Sequence, residues 1–510
     1  MKTKLLVLYG LLISIMCAAV SGCGSNGSAV KTDGSVDNTI KWVMVGPGKQ
    51  QDFDKVQTLF NEKLQDYLPG TALDLQVLDI VTFEQKWQLM LASNEKVDIM
   101  WTGFLSNFSE DVQKGAFKPL NELIDSYAPD LKTELPDWVW SKATIDGKIY
   151  QIPSYQNMNE MRDAFITFED YADKYLDRER LAAVVESTDY NTPEFFAVLD
   201  DYFKKLHDNG ELALGPDTDS FPQLMDRGFE VVTKGAAIKR SDASAKVVNY
   251  YEQPEVKLYF KQMNDWYKKE YIRRDALTIE STSNDIYKRD GCIATIFHYY
   301  KNSNDDLAKT HPEDKFTAIP VNRDYYVASK DPSSGNAMAK TCKNEINTIK
   351  FLDLMNTKKG ADLFNLLTWG IEGEHYTTIS ERRIQPIGYE GQGLPESNYG
   401  LWNWAIGNTF IGKFASTFPE DWPEYMENEV HGQATLSPIM GFKPDTSGII
   451  TEITQVNTVL DTFERQLQIG ASDDWEPVYE EMMRKLNLAG VDKIITEIQR
   501  QVDEFLGSRS

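Results

Sequence analysis

Apolar positions beyond residue 38 switch between two periods, and the switches outline an ordered run of elements. Thr39–Val45 (TIKWVMV) is rich in β-branched and aromatic residues and stops at Gly46-Pro47-Gly48, which predicts a strand. Phe53, Val56, Phe60, Leu64 and Tyr67 then recur at helical spacing until Pro69-Gly70 breaks the run. Leu73, Leu75 and Val77 alternate, residues 83–91 return to helical spacing, and residues 97–101 (VDIMW) form a third short apolar stretch. Strand, helix, strand, helix, strand predicts the opening of a parallel α/β lobe, where ligands lie beyond the carboxyl ends of the strands. Trp101 and Gly46-Pro47-Gly48 fall at such ends. A lone tryptophan is usually core, and the strand-end position is what favours exposure of Trp101 in a cleft. Near the other terminus Trp475, Val478, Met482 and Leu486 form one helical stripe and Val491, Ile495, Ile498, Val502 and Phe505 another, with Ala489-Gly490 between them. Such stripes predict packing faces.

At 510 residues the chain exceeds what one core usually supports, so two large lobes or more are expected. Hydrophobic residues at 41% and charged residues at 26% exclude a polytopic membrane protein and a wholly disordered one. The net charge of -25, with no concentrated basic patch, argues against nucleic acid as a partner.

The first residues address the compartment. Lys2 and Lys4 precede an apolar run from Leu5 to Val20, followed by Val20-Ser21-Gly22-Cys23. A charged start, a short apolar stretch and small residues before a cut describe a secretory signal over residues 1–22, and the stretch is short of the ~20 residues that span a bilayer. The four residues ending in Cys23 resemble the lipobox of bacterial lipoproteins, which implies that Cys23 is lipidated and anchors the chain to the bilayer. Residues 23–38, rich in Gly, Ser, Asn and Asp, then read as a flexible tether. Removing residues 1–22 takes away Lys2 and Lys4 and no acid, which moves the charge from -25 to -27.

Of the remaining cysteines, Cys292 and Cys342 are either bridged or two buried thiols. The histidines His207, His298, His311, His375 and His431 are scattered without an HxH or HExxH pair, so neither a metal nor a cofactor is expected.

Residues 145–153 read Ile-Asp-Gly-Lys-Ile-Tyr-Gln-Ile-Pro, and Gly115-Ala116-Phe117-Lys118-Pro119-Leu120 stands some 30 residues earlier. This pattern resembles the extracellular solute-binding proteins of ABC importers, family 1. Leu366-Leu367-Thr368-Trp369-Gly370-Ile371-Glu372-Gly373-Glu374-His375-Tyr376 is similar to a signature of the family's Gram-positive lipoprotein subgroup, and the tail from Pro438 to Leu506 is similar to that subgroup's C-terminal extension. The resemblance covers nearly the whole chain after the signal. It implies an α/β, two-lobe periplasmic-binding-protein-like fold with a hinge and an interlobe ligand cleft. Strands crossing between lobes are expected near residues 154–159, 319–329 and 437–442. Lobe 1 then comprises residues 39–155 plus 328–437, and lobe 2 residues 156–327 plus 438–510.

Members of this family mostly bind sugars, which need flat aromatic surfaces and directional polar partners in a concave site. The chain is 12% aromatic with 11 tryptophans. Trp402 and Trp404 alternate and share a face if extended, either as a site or as a buried pair. Residues 291–297 resemble the family's Gly-x-x-Ala-hydrophobic strand, which implies delivery of His298, Tyr299 and Tyr300 to the cleft. Tyr155, Gln156 and Asn157 stand at the first expected crossing and offer hydroxyl partners. Trp369 and Glu372 belong to the subgroup signature, whose glycines also suit a structural turn. Arg382-Arg383 suits an acidic sugar but equally a surface position.

The function implied is capture of a carbohydrate, an oligosaccharide, outside the membrane by a monomeric lipoprotein that closes on its ligand and delivers it to membrane permease subunits, with no covalent step. ATP hydrolysis belongs to another subunit, because the chain has no GxxxxGK[ST] loop. A secreted carbohydrate-active hydrolase and a receptor for a non-sugar solute such as a peptide are the rivals. No pair of carboxylates is singled out by the sequence, and no fixed charges for peptide termini are visible in it.

Overall fold

Every residue of Thr39–Val45 after Lys41 is buried, so both faces of this strand are covered, which is the mark of a central strand in an α/β layer. In the computed structural model, which describes residues 38–509 apart from 94, 157–159, 212–217, 219, 279–292, 302, 304–313 and 389–397, it lies between Ala72–Leu78 and Ile99–Gly103, parallel to both. Ser334–Met338 follows antiparallel to Ile99–Gly103, and Gln151–Pro153 closes the sheet. The helix Phe53–Leu64 buries Phe53, Val56, Phe60 and Leu64 and ends there, which leaves Tyr67 exposed beyond the apolar stripe. The third strand runs to Gly103, two residues past Trp101. The Asp-Gly-Lys motif makes a tight hairpin between Thr144–Ile145 and Lys148–Ile149, with Asp146 at φ 50° and Gly147 at φ 73°.

Two large apolar cores form. The first draws its buried residues from 40–155 and 337–406, the second from 165–321 and 439–502. The second core holds Asp163–Phe168, flanked antiparallel by Ala294–His298 and Phe316–Pro320, and a separate sheet of Phe229–Thr233, Ala236–Lys239 and Val247–Asn249. The C-terminal helices Ile450–Ile469, Trp475–Ala489 and Val491–Gly507 pack into this same core. Cys23 with the signal and tether, Asn157, Cys292 and His311 lie outside the described residues.

Between the cores the chain crosses in short extended pieces. Glu160–Met161, Tyr326–Val327 and Thr435–Leu436 come together in one three-stranded sheet, with Tyr326 opposite both Met161 and Thr435. Of these, Tyr326–Val327 lies within the expected crossing at 319–329, while Glu160–Met161 begins just after 154–159 and Thr435–Leu436 ends just before 437–442. A smaller cluster of Tyr300, Tyr325, Phe414, Trp422, Tyr425, Met426 and Val430 packs beside this junction.

Candidate functional site

The carboxyl edge of the first sheet presents the ends of Ile99–Gly103 and Gln151–Pro153 together with the start of Ser334–Met338. Trp101 stands in this edge, but it is fully buried rather than exposed. Its indole Nε1 donates to Ser334 Oγ at 2.7 Å, and Phe83 packs edge-on against it at 5.2 Å. With its polar atom satisfied inside the protein and its ring walled in, Trp101 is better placed as a support than as a surface. What it supports is Phe104, one residue past the strand, whose ring lies 5.7 Å from Trp101 and is 53% exposed. Phe104 was not singled out in the sequence. Its signal there is an aromatic residue directly after the glycine that ends the strand.

Trp402 and Trp404 join the same edge. They are not in an extended strand, because residues Asn403–Ile406 form a single helical turn for which Trp402 is the N-cap. That turn is tied down to the sheet: Ser334 Oγ donates to the Trp404 carbonyl at 2.7 Å, and Asn336 Nδ2 donates to the carbonyls of Ala405 and Ile406 at 3.1 and 3.0 Å. The two indoles stack, 5.2 Å apart at 19°, and both are half-buried. Phe104 lies 5.9 Å from Trp404, so Phe104, Trp404 and Trp402 make a continuous aromatic shelf over the sheet edge, with Trp101 beneath Phe104 and Trp404. Gln156 is buried beside it and donates through Nε2 to the Trp404 carbonyl at 3.4 Å. Tyr155 is turned away: its hydroxyl meets His431 Nδ1 at 2.6 Å and its ring packs on Phe410 at 5.2 Å.

The chain leaves this edge after Gln156 and enters the second core at Arg162. The Asp163 end of its sheet, with His298 opposite Asp163 in register, is therefore the end nearest the first core. His298 is partly exposed, with Nδ1 3.4 Å from Asp163 Oδ1. Tyr299 is half-buried, and its backbone N–H donates to the Arg162 carbonyl at 2.7 Å. Phe297 is 56% exposed. Tyr300 turns instead into the side cluster, stacking 6.2 Å from Tyr325. Burial holds the Tyr325 phenol well above its ordinary value, so it stays protonated and donates to the Tyr299 carbonyl at 3.0 Å.

Trp369 and Glu372 sit elsewhere on the first core. Trp369 Nε1 donates to the Lys413 carbonyl at 2.9 Å, and Glu372 is exposed. Their motif is a turn: Gly370 has φ 81°, and a Cβ there would lie 2.5 Å from the His375 ring. His375 Nδ1 accepts from the Ile371 N–H at 2.9 Å while Nε2 reaches Asp52 Oδ2 at 3.1 Å. Arg382 pairs with Glu424 at the surface, and Arg383 donates to the Ser416 carbonyl. A groove of 1160 Å³ lies between residues 137–147 and the last helix, but its polar walls already pair with one another, as Arg500 with Glu504 and Gln501 with Asp445. The aromatic shelf is the better candidate because it sets three adjacent rings, Phe104 the most exposed of them, at the sheet edge from which the chain crosses. Among the described residues no group of three His, Cys, Asp or Glu is placed to hold a metal ion.

Two cores joined by crossing strands make a two-lobed α/β fold, and known solute-binding proteins share it. An N-glycan transport solute-binding protein (NgtS) from Streptococcus pneumoniae superposes with a TM-score of 0.78 at 22% identity, over 92% of this chain and all of that one. The alginate-binding protein AlgQ2 gives 0.60 at 19%, over 92% and 99%. By sequence the chain is 26% identical to a carbohydrate ABC transporter substrate-binding protein of Streptococcus pneumoniae serotype 4, over 97% of this chain and 96% of that protein. Residues 438–507 match a domain family described as a domain of unknown function, DUF3502. Among the described residues no helix is long and apolar enough to cross a membrane.

Proposed function

We propose that this chain is the substrate-binding lipoprotein of an ABC importer, capturing an oligosaccharide without altering it. The shelf of Phe104, Trp404 and Trp402 carries this reading. It gathers three adjacent aromatic rings at one sheet edge, Phe104 53% exposed and the tryptophans half-buried, and such rings suit the apolar C–H faces of a glycan. The similar NgtS has been crystallised with Man1GlcNAc and with Man5GlcNAc, which supports an oligosaccharide ligand here. The lobes, residues 39–155 plus 328–437 and 156–327 plus 438–510, close about the crossing strands. Ligand bridging both lobes favours the closed population by its extra contacts. Cys23 anchors the monomer to the outer face of the cell membrane, and a permease receives the cargo.

The test is calorimetry and thermal melting of the mature chain against a glycan panel, with chromatography of the recovered sugar. The expected result is a raised Tm with selected oligosaccharides, returned intact, because a ligand that binds only the native state stabilises it. Cleaved sugar would make the protein a hydrolase, and peptides outcompeting every glycan would make it a peptide receptor; either overturns the reading.

A further inference from the structure

Arg162 stands where the chain enters the second core, and its side chain is held unusually firmly for a partly exposed arginine. Its guanidinium lies over the Tyr299 ring at 5.1 Å and over the Tyr325 ring at 5.4 Å. Its Nε donates to the Asn322 carbonyl at 3.0 Å, which fixes the plane of the group and leaves the terminal nitrogens for another acceptor. The chain has 78 acidic side chains, yet among the described residues none lies within ion-pair distance of this guanidinium. The nearest carboxylate along the chain, Asp163, faces His298. Tyr299 and Tyr325 are locked in turn, Tyr325 by its hydrogen bonds to the Tyr299 carbonyl and to Tyr425 Oη at 2.9 Å.

A planar guanidinium, oriented by stacking and one hydrogen bond and with no acid paired to it among the described residues, is built for a bidentate acceptor. Desolvating a cation is costly unless a partner meets it, so closing a cleft over Arg162 favours a ligand that brings a negative charge. We infer that Arg162 is a ligand anchor on the second lobe and that it selects glycans bearing a carboxylate, such as uronic or sialic acid units. This deepens the oligosaccharide reading and rests on it. The apolar faces of the sugar rings lie on the Phe104–Trp404–Trp402 shelf, and the carboxylate meets Arg162 from the other side.

The experiment is a glycan array probed with the mature chain, holding neutral oligosaccharides beside the same backbones capped with uronic or sialic acid, followed by calorimetry on matched pairs. The expected result is at least tenfold tighter binding of the capped member. Arg162→Met removes that preference, the capped member falling to the affinity of its neutral counterpart, and Arg162→Lys, which keeps the charge but not the fork, retains part of it. Thermal melts of both variants verify folding. Equal binding of capped and neutral members, or a preference that survives Arg162→Met in a folded variant, overturns the assignment and leaves the glycan reading standing. Binding of no glycan at all overturns both.

Discussion

Trp101 and Phe104 divide one task between two aromatic residues. The first spends its indole N–H and its ring edges on the protein; the second offers its face outward. Truncation therefore separates them. Trp101→Ala opens a cavity and is expected to cost about 3–5 kcal/mol of stability, read as a fall in the urea midpoint. Phe104→Ala removes a ring already half in water, leaves that midpoint near the parent value, and weakens glycan binding by roughly fivefold, the scale of one aromatic contact of about 1 kcal/mol. Asp111 supplies a pH-dependent case on the same lobe. It is fully buried, accepts from Trp87 Nε1 at 2.9 Å, and burial pushes its carboxyl up to about 6, with the Trp87 hydrogen bond opposing. The native state thus holds this proton more tightly than the unfolded chain does, so the group's contribution to stability declines as pH rises from near 4 to 6 and stays lost above. Asp111→Asn keeps an acceptor for Trp87 and removes the titration. At pH 7 it is expected to be more stable than the parent by on the order of 2–3 kcal/mol, with the difference vanishing in melts below pH 4.

The elements that join the lobes are held from both sides. Glu230 in the second core accepts from Tyr326 Oη at 2.6 Å and from the Ser329 N–H at 2.7 Å, while buried Lys142 in the first core donates to the Ala328 carbonyl between them at 3.1 Å. Asp331 then links Ser109, by its N–H at 3.1 Å and Oγ at 2.6 Å, to Lys443, beyond the third crossing, at 2.7 Å. Tyr326→Phe strips Glu230 of a donor in a buried setting and is expected to cost about 1–3 kcal/mol, seen as a lowered urea midpoint at unchanged slope. These clamps explain what the sequence could and could not disclose. Thr39–Val45 was legible because a β-branched and aromatic run stops at Gly46-Pro47-Gly48, and the helix after it because periodicity alone sets which of its faces is buried. Pairing of two-residue strands at 160–161, 326–327 and 435–436 carries no periodic signal, and only the family resemblance located their neighbourhood. The shelf was half legible: Trp402 and Trp404 drew notice as a close pair. That a helical turn stacks them, and that Trp101 sinks beneath Phe104, depends on Ser334 and Asn336, more than 200 residues from Trp101 in the first case. Such long-range hydrogen bonds leave no local mark in a chain.

Across the whole molecule the C-terminal segment that matches a domain of unknown function has a definite mechanical place. Val491, Ile494, Ile498 and Val502 form the buried stripe of its last helix and are fully inaccessible, facing the sheet that contains Ala236–Lys239 and Val247–Asn249. Polar groups knit the same seam: Gln499 Oε1 accepts from the Val247 N–H at 2.7 Å, Tyr479 Oη donates to the Tyr251 carbonyl at 3.0 Å, and Asn264 Nδ2 donates to the Gly470 carbonyl at 2.8 Å. At about 1.5–3 kcal/mol for each large side chain buried, one helix stripe is comparable with the roughly 5–15 kcal/mol that holds a whole domain folded. The segment is a layer of the second lobe, and the third crossing strand leads straight into it. A chain ending at residue 437 is thus expected to lose the second lobe's cooperative unfolding and to yield little soluble protein. Ile498→Asp, a single unpaired charge at the same seam, should reproduce the loss in part, with the near-ultraviolet signal of the buried aromatics reduced. A truncated chain that unfolded cooperatively with its glycan affinity intact would make the segment an appendage instead, free to serve the partner rather than the fold.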